Sequence, residues 1–213
     1  NMPRSKALRL GKDGWCDGVE HLASSHFNER PEGVTPTLVI LHCISLPPGC
    51  FATGDVAELF LGTLDVTKDP RLADLAGLRV SSHFFIARDG KVFQFVSCND
   101  RAWHAGVSSF MGCDNCNDYS VGIELEGTES EPFQKAQYAA LLEVLKALSR
   151  RYAIGAVVAH SDVAPGRKTD PGPYFDWQYL QRRKSAFGNP EFPGAAACME
   201  KAVYDASLTH RLT

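Results

Sequence analysis

Residues 38–49 read LVILHCISLPPG, and this stretch decides the fold. Its first four residues form a short, continuous apolar run, which is typical of a strand buried on both faces. His42 follows the run directly, and Leu46-Pro47-Pro48-Gly49 then forces a loop. His42 is therefore predicted to stand just past the end of a buried strand, where sites gather in open α/β sheets.

Further strand and helix patterns lie C-terminal to this stretch. They predict a hairpin over 82–96, a strand over 121–125, a helix over 133–152 and a strand over 157–159. The hairpin is indicated by two β-rich runs on either side of Asp89-Gly90. The alternation of strands and helices predicts an α/β fold, with a mixed central β-sheet flanked by helices in a single domain.

The two ends of the chain carry weaker patterns. Residues 1–36 are rich in turn formers, which predicts irregular structure. Beyond about Leu180 the periodicity fades. Since 213 residues fit one domain with a tail, we expect a domain over 1–180. The tail over 181–213 is expected to be disordered or partly helical near 197–208.

Composition excludes several classes of function. The net charge of -3 does not resemble the basic footprint of a nucleic-acid-binding protein. No apolar run approaches the ~20 residues needed to cross a membrane. Residues 1–6 and the sequence after them lack the apolar segment of a secretory signal, and the seven cysteines are odd in number and irregularly spaced. We therefore expect a cytoplasmic monomer with reduced thiols; a signal removed ahead of Asn1 is the open alternative.

Three potential metal ligands stand at or near the ends of strands. His42 and His160 each follow an apolar strand directly, and Asp170 lies ten positions after His160 in a proline-rich loop. Two histidines and one carboxylate form a zinc set with an open position for water. The alternative is that the histidines are surface or packing residues.

Four charged residues lie near this potential ligand set. Glu124 and Glu126 share the polar face of one strand, and either could take a proton from an attacking water. Periodicity does not choose between them. Lys168 could steady negative charge on a carbonyl oxygen. We interpret the adjacent Arg167 as one member of a solvated charge pair.

Five segments of the chain carry a family resemblance, and they occur in the family's order. They are LHCISLPPG (41–49), LRVSSHFFIARDG (78–90), RAWHAGVSS (101–109), CNDYSVGIELEGT (116–128) and APGRKTDPGPYFDW (164–177). Together they resemble the AmpD-type N-acetylmuramoyl-L-alanine amidases, in the group that includes phage T7 lysozyme and the peptidoglycan-recognition proteins. The resemblance runs from about Trp15 to Trp177.

The resemblance implies one zinc ion per chain, held by His42, His160 and Asp170. It places the catalytic glutamate at Glu124 and the lysine near the reacting carbonyl at Lys168. The implied substrates are 1,6-anhydro-N-acetylmuramyl peptides of peptidoglycan recycling. The bond cut would join the lactyl carbonyl of muramic acid to the amine of L-alanine.

The resemblance also implies a substrate cleft around Arg79, Trp103 and His104. Core packing is the alternative for Trp103, and His83 is interpreted as a structural residue of the hairpin. The sequence departs from the family at Cys43, where an asparagine that binds substrate is common, and at Asn115, where an arginine often holds a peptide carboxylate. These departures leave Arg79 as the main predicted carboxylate anchor.

Two other functions compete with a recycling amidase. Some relatives with this fold recognise peptidoglycan without cutting it, and these typically lack a full zinc set. A periplasmic or secreted amidase that acts on intact wall is the second alternative. The complete ligand set, with Glu124 and Lys168, favours catalysis.

Overall fold

The computed structural model describes residues 7–194, and its largest element is a six-stranded β-sheet. In chain order the strands and helices are β1 (Arg9–Leu10), β2 (Cys16–Asp17), β3 (Glu20–His21), β4 (Phe27–Glu29), β5 (Leu38–Ile44), α1 (Asp55–Leu61), β6 (Phe84–Ile86), β7 (Val92–Gln94), β8 (Asp100–Ala102), β9 (Ser109–Phe110), β10 (Cys113–Asp114), β11 (Ser120–Glu126), α2 (Lys135–Arg151), β12 (Ala156–Ala159), α3 (His160–Val163) and α4 (Trp177–Gln181). Short 3-10 helices lie at Val66–Lys68, Pro70–Leu75, Cys116–Asp118 and Lys184–Phe187.

The sheet has the strand order β12-β5-β11-β6-β7-β3. Strands β12, β5, β11 and β6 run parallel, whereas β6 and β7 form the predicted antiparallel hairpin. The prediction of a mixed sheet flanked by helices is therefore confirmed. Because the four parallel strands end at one edge, the residues that follow them are brought together there.

Helix α2 covers one face of the sheet, as its helical spacing predicts. Leu141, Leu145 and Leu148 of α2 pack with Leu41 of β5 and Ile123 of β11 in the largest core cluster. Alternation along β5 then turns the side chain of every second residue to the other face. That face carries α1 and the loop between β8 and β11.

The N-terminal part of the chain departs from the prediction of irregular structure. Strands β1 and β2 pair with each other, β4 pairs with β8, and β3 extends the main sheet alongside β7. These strands contain two or three residues each. Such short segments cannot show a period of two, so the sequence carries no signal for them.

The segment after α4 packs against the domain. Phe187 and Phe192, both within the predicted tail, are buried in the largest core cluster. The helix predicted near 197–208 lies outside the described residues. Across residues 7–194, no helix combines the length and the apolar character that crossing a bilayer requires.

Candidate metal centre

Three side chains meet at the carboxyl edge of the parallel strands. His42 lies near the end of β5, His160 begins α3 directly after β12, and Asp170 lies in the following loop. His42 Nδ1 is 3.0 Å from His160 Nδ1 and 3.1 Å from Asp170 Oδ2, while His160 Nδ1 is 3.2 Å from Asp170 Oδ1. The sequence predicted this convergence, and one donor atom from each residue lies within 4.8 Å of the others.

The hydrogen bonds of the two Nε2 atoms leave the Nδ1 atoms of His42 and His160 available to a metal. His160 Nε2 lies 2.9 Å from the carbonyl oxygen of Ala105, which can only accept, so Nε2 carries the proton. His42 Nε2 lies 2.9 Å from Nδ1 of His104. When both Nε2 atoms donate, both Nδ1 lone pairs point at each other and at Asp170. Two lone pairs and a carboxylate at this spacing suit a divalent cation with nitrogen and oxygen ligands.

Burial and hydrogen bonding set the protonation of this cluster. Burial lowers the pKa of His42 below its ordinary value, although the hydrogen bond with Asp170 opposes the shift. For Asp170, burial raises the pKa, but hydrogen bonds and charges from His160 and His42 outweigh it and leave the pKa below its usual range. These shifts favour the neutral form of His42 and the ionised form of Asp170, which are the forms that bind metal.

Glu124 faces the cluster from the neighbouring strand. It lies directly opposite His42 in the parallel pairing of β11 with β5, and its Oε1 is 3.8 Å from His42 Nδ1. Its other oxygen, Oε2, is buried and has no hydrogen-bond partner among residues 7–194. Burial raises the pKa of Glu124 well above its ordinary value, the charge of Asp170 adds to this shift, and that of Lys168 opposes it. Because a buried oxygen without a partner costs free energy, this arrangement fits a site that binds another group.

Glu126 has a different environment, which the strand periodicity could not reveal. One of its oxygens accepts a hydrogen bond from the backbone N–H of Ala52 at 2.9 Å, and the other accepts from that of Arg88 at 3.0 Å. The side chain is 5% exposed and holds two loops against the end of β11. Glu126 therefore has a structural role.

The loop between His160 and Asp170 places its two cations differently. Lys168 is exposed, and its positive charge lowers the pKa of both Glu124 and His42. Arg167 donates through Nη2 to the carbonyl oxygens of Ala105 and Val107 at 2.6 and 2.8 Å. Arg167 is exposed, as the interpretation of a solvated charge requires, but its guanidinium bridges two loops through carbonyl acceptors and pairs with no carboxylate among residues 7–194.

The predicted substrate residues differ in how far they are exposed to solvent. Arg79 is exposed, with its guanidinium carbon 6.0 Å from the ring centre of Trp103, and the Trp103 indole donates to Asn28 Oδ1 at 2.9 Å. Asn115 is exposed in a left-handed conformation at a turn. Their roles in substrate binding stay predictions.

Cys43 and His104 lie closer to the protein interior. Cys43 packs against the α2 side of the sheet, opposite His42, and burial raises the pKa of its thiol. His104 is half-buried and contacts His42 on the side away from Asp170. Their predicted contacts with substrate also stay predictions. His83 is fully buried and bonded to backbone through both ring nitrogens, which confirms its structural role.

Sequence reasoning missed Asn117. This buried side chain accepts hydrogen bonds from the backbone N–H groups of His104 and Ala105 at 3.2 and 2.9 Å. It therefore fixes the segment that contacts both histidines of the cluster. Asn117 lies in the short 3-10 helix Cys116–Asp118, within a polar segment that is rich in turn formers, so nothing in its local sequence pattern distinguishes it.

Comparison with known proteins identifies the family to which this chain is similar. The profile of the family described as N-acetylmuramoyl-L-alanine amidase matches residues 32–173. The 1,6-anhydro-N-acetylmuramyl-L-alanine amidase AmpD of Escherichia coli K12 is 48% identical over 170 residues, which cover 79% of this chain and 93% of that protein. AmpD of Citrobacter freundii is 47% identical over 167 residues, covering 78% and 89%.

Solved structures show the same relationship. A crystal structure of a selenomethionine AmpD derivative superposes with a TM-score of 0.79 at 46% identity, covering 81% of this chain and 98% of that one. The amidase AmiD of Escherichia coli, solved with the substrate anhydro-N-acetylmuramic acid-L-Ala-D-γ-Glu-L-Lys, gives a TM-score of 0.52 at 31% identity, covering 84% and 66%.

Proposed function

The chain belongs to the N-acetylmuramoyl-L-alanine amidase family, and we propose that it acts in peptidoglycan recycling. The bond hydrolysed is the amide between the lactyl group of 1,6-anhydro-N-acetylmuramic acid and the L-alanine of the stem peptide. The names of the AmpD relatives and the muropeptide bound to AmiD support this substrate class. A cytoplasmic location and a monomeric state stay predictions.

The observation that carries the proposal is the buried, unpartnered oxygen of Glu124 beside a complete ligand set. His42, His160 and Asp170 would hold one zinc ion. Bound there, zinc would lower the pKa of a water ligand toward ~7 and polarise the substrate carbonyl. A cation beside Glu124 would also favour its ionised form, opposing the effect of burial.

The protein's own groups then have separate tasks. Glu124 accepts a proton from the attacking water and passes it to the departing amine of L-alanine. Lys168 steadies the negative charge that develops on the lactyl carbonyl oxygen. Water adds across the amide, and the products are a free muramic carboxylate and a free peptide amine. Arg79 is proposed to pair with a stem-peptide carboxylate, since a guanidinium suits that geometry.

A binding module is the competing function. A protein that only binds peptidoglycan has no use for a buried carboxylate oxygen without a hydrogen-bond partner, because leaving such an oxygen unpaired costs about 1–3 kcal/mol of stability. A hydrolase uses that group to move a proton. The unpartnered Oε2 of Glu124 therefore favours catalysis over binding alone.

A defined anhydro-muropeptide tests the proposal directly. Incubation with zinc-loaded protein should release free peptide, detected by chromatography, and a chelator should abolish the release. Elemental analysis should find about one zinc per chain. Tight binding without release would favour the binding module, and faster release from intact wall would favour a lytic amidase.

A further inference from the structure

His104 lies behind the candidate metal centre and is not one of its ligands. Its Nδ1 is 2.9 Å from His42 Nε2, whereas His160 and Asp170 converge on the other nitrogen of the His42 ring. Its own Nε2 is 3.2 Å from the hydroxyl oxygen of Ser120, a fully buried residue. The planes of the His42 and His104 rings meet at 88°, so the two rings are in edge contact. This arrangement allows a hydrogen bond between the two imidazoles.

The surroundings of His104 are shaped to hold this ring. A Cβ at Gly122 of β11 would lie 2.5–2.7 Å from three atoms of the His104 imidazole, closer than any real contact. Any residue other than glycine would therefore displace the ring. The backbone of His104 is tied in turn to the side chain of Asn117. The ring is thus fixed from the strand below it and from the loop beside it.

We propose that His104 is a positioning residue that fixes the tautomer and the direction of His42, an inference that rests on the proposed metal-dependent function. His42 donates its Nε2 proton to the Nδ1 lone pair of His104, and His104 donates its own Nε2 proton to Ser120 Oγ. This order of donors leaves the Nδ1 lone pair of His42 aimed at the ligand set. The reverse order would put a proton on His42 Nδ1 and block metal binding.

The adjacent residue performs the same task for the second histidine. The carbonyl oxygen of Ala105 accepts from His160 Nε2 at 2.9 Å, which leaves the Nδ1 lone pair of His160 aimed at the ligand set. Two consecutive residues therefore orient both imidazoles. Arg167 donates to the same carbonyl and ties this segment to the loop of Asp170. Groups that orient metal-ligating histidines typically change metal affinity 10–100-fold when they are removed.

Metal affinity tests the role of His104 without any activity assay. The probes are Zn²⁺ and Co²⁺ alone, titrated in competition with a chromophoric chelator. His104→Ala should weaken Zn²⁺ binding by roughly 10–100-fold and alter the visible absorption spectrum of bound Co²⁺. His104→Asn restores an acceptor oxygen near the position of Nδ1 and should recover most of the affinity. Gly122→Ala keeps His104 but displaces its ring, so it should weaken binding as well.

Urea unfolding of the metal-free variants separates orientation from folding. His104→Asn and His104→Ala should be alike in metal-free stability but differ in metal affinity. Equal affinity of wild type and His104→Ala, with identical Co²⁺ spectra, would overturn the proposal, and so would equal loss in the Ala and Asn variants. If the wild type itself binds neither metal, the proposed function fails instead.

Discussion

His42 and Glu124 occupy facing positions on neighbouring parallel strands, and 3.8 Å separates Nδ1 of the imidazole from Oε1 of the carboxylate. The pairing of β5 with β11 fixes this relationship, because both residues lie inside regular strands. A catalytic group built on a rigid strand is held more precisely than one on a loop. The Glu124 carboxylate can therefore keep its position whether or not His42, His160 and Asp170 hold a metal ion.

The first prediction concerns Glu124→Gln. The amide has nearly the shape of the carboxylate but cannot take up the proton of water. Because general acid–base groups typically contribute 10²–10⁴-fold, turnover of an anhydro-muropeptide should fall by that factor. Zinc content should stay near one per chain. Glu129→Gln is the matched control, since Glu129 is an exposed carboxylate C-terminal to the same strand and should leave turnover nearly unchanged. Full turnover by zinc-loaded Glu124→Gln would exclude the mechanism.

The second prediction concerns Glu126→Ala, which affects folding. The substitution removes the acceptor for the N–H groups of Ala52 and Arg88. Hydrogen bonds to charged groups contribute about 1.5–3 kcal/mol each, so the free energy of unfolding in urea should fall by roughly 2 kcal/mol or more. Glu126→Gln keeps one acceptor oxygen and should lose less. An unchanged unfolding midpoint for Glu126→Ala would show that neither loop depends on it.

The contrast between these two glutamates shows what the sequence could and could not predict. Apolar runs and helical spacing predicted β5, β11, α2 and β12, because each element buries a long enough periodic face. The same runs predicted both histidines just past strand ends; this holds for His160, whereas His42 lies inside β5, which continues to Ile44. The parallel sheet brought the two together. Alternation left Glu124 and Glu126 equivalent, and only the family resemblance separated them.

Contacts between distant segments account for the rest. Glu126 meets Ala52 across 74 positions of sequence, and Asn117 holds His104 across 13. The close approach of His104 to Gly122 depends on how a loop lies on the sheet. No local period encodes such contacts, since they arise from tertiary packing. The short N-terminal strands were missed for a related reason, because their pairing partners define them.

The third prediction concerns Cys43→Ser. Cys43 follows His42 in β5, so its side chain points to the opposite face, and it packs against the core beneath α2. The thiol is therefore not expected to bind the metal. Elemental analysis of Cys43→Ser should find the wild-type zinc content. A substoichiometric zinc content in folded Cys43→Ser would show that the thiol takes part in coordination.

The fourth prediction concerns Arg79→Ala. The guanidinium is exposed to solvent and lies over the Trp103 ring, so a peptide carboxylate can reach it. Loss of one charge-assisted pair typically costs ~1.5–3 kcal/mol, or roughly ten- to a hundred-fold in affinity. Titration should show this loss for muropeptides with a free side-chain carboxylate and a smaller loss for the amidated forms. Equal weakening of both peptides would remove Arg79 from this role.

The last prediction links His83 to the pH dependence of stability. Burial, and then the charge of Arg30, lowers the pKa of His83 from its ordinary 6.5 to about 3. Below pH 6.5, His83 is therefore protonated in the unfolded chain but stays neutral in the folded protein. Stability contributed by neutral His83 is present above pH 6.5 and is lost as the pH falls toward 3, by up to about 1.4 kcal/mol per pH unit.

Urea unfolding of metal-free protein between pH 7 and 4.5 should show this slope. In His83→Gln the slope should be shallower by the contribution of one titrating group. Some slope should remain, because His42 and His104 also have lowered pKa values and are still present in the variant. The comparison uses the slope and not the absolute stability, so a general destabilisation by the substitution does not affect it. Identical slopes in the two proteins would show that His83 is protonated in the folded state over this range.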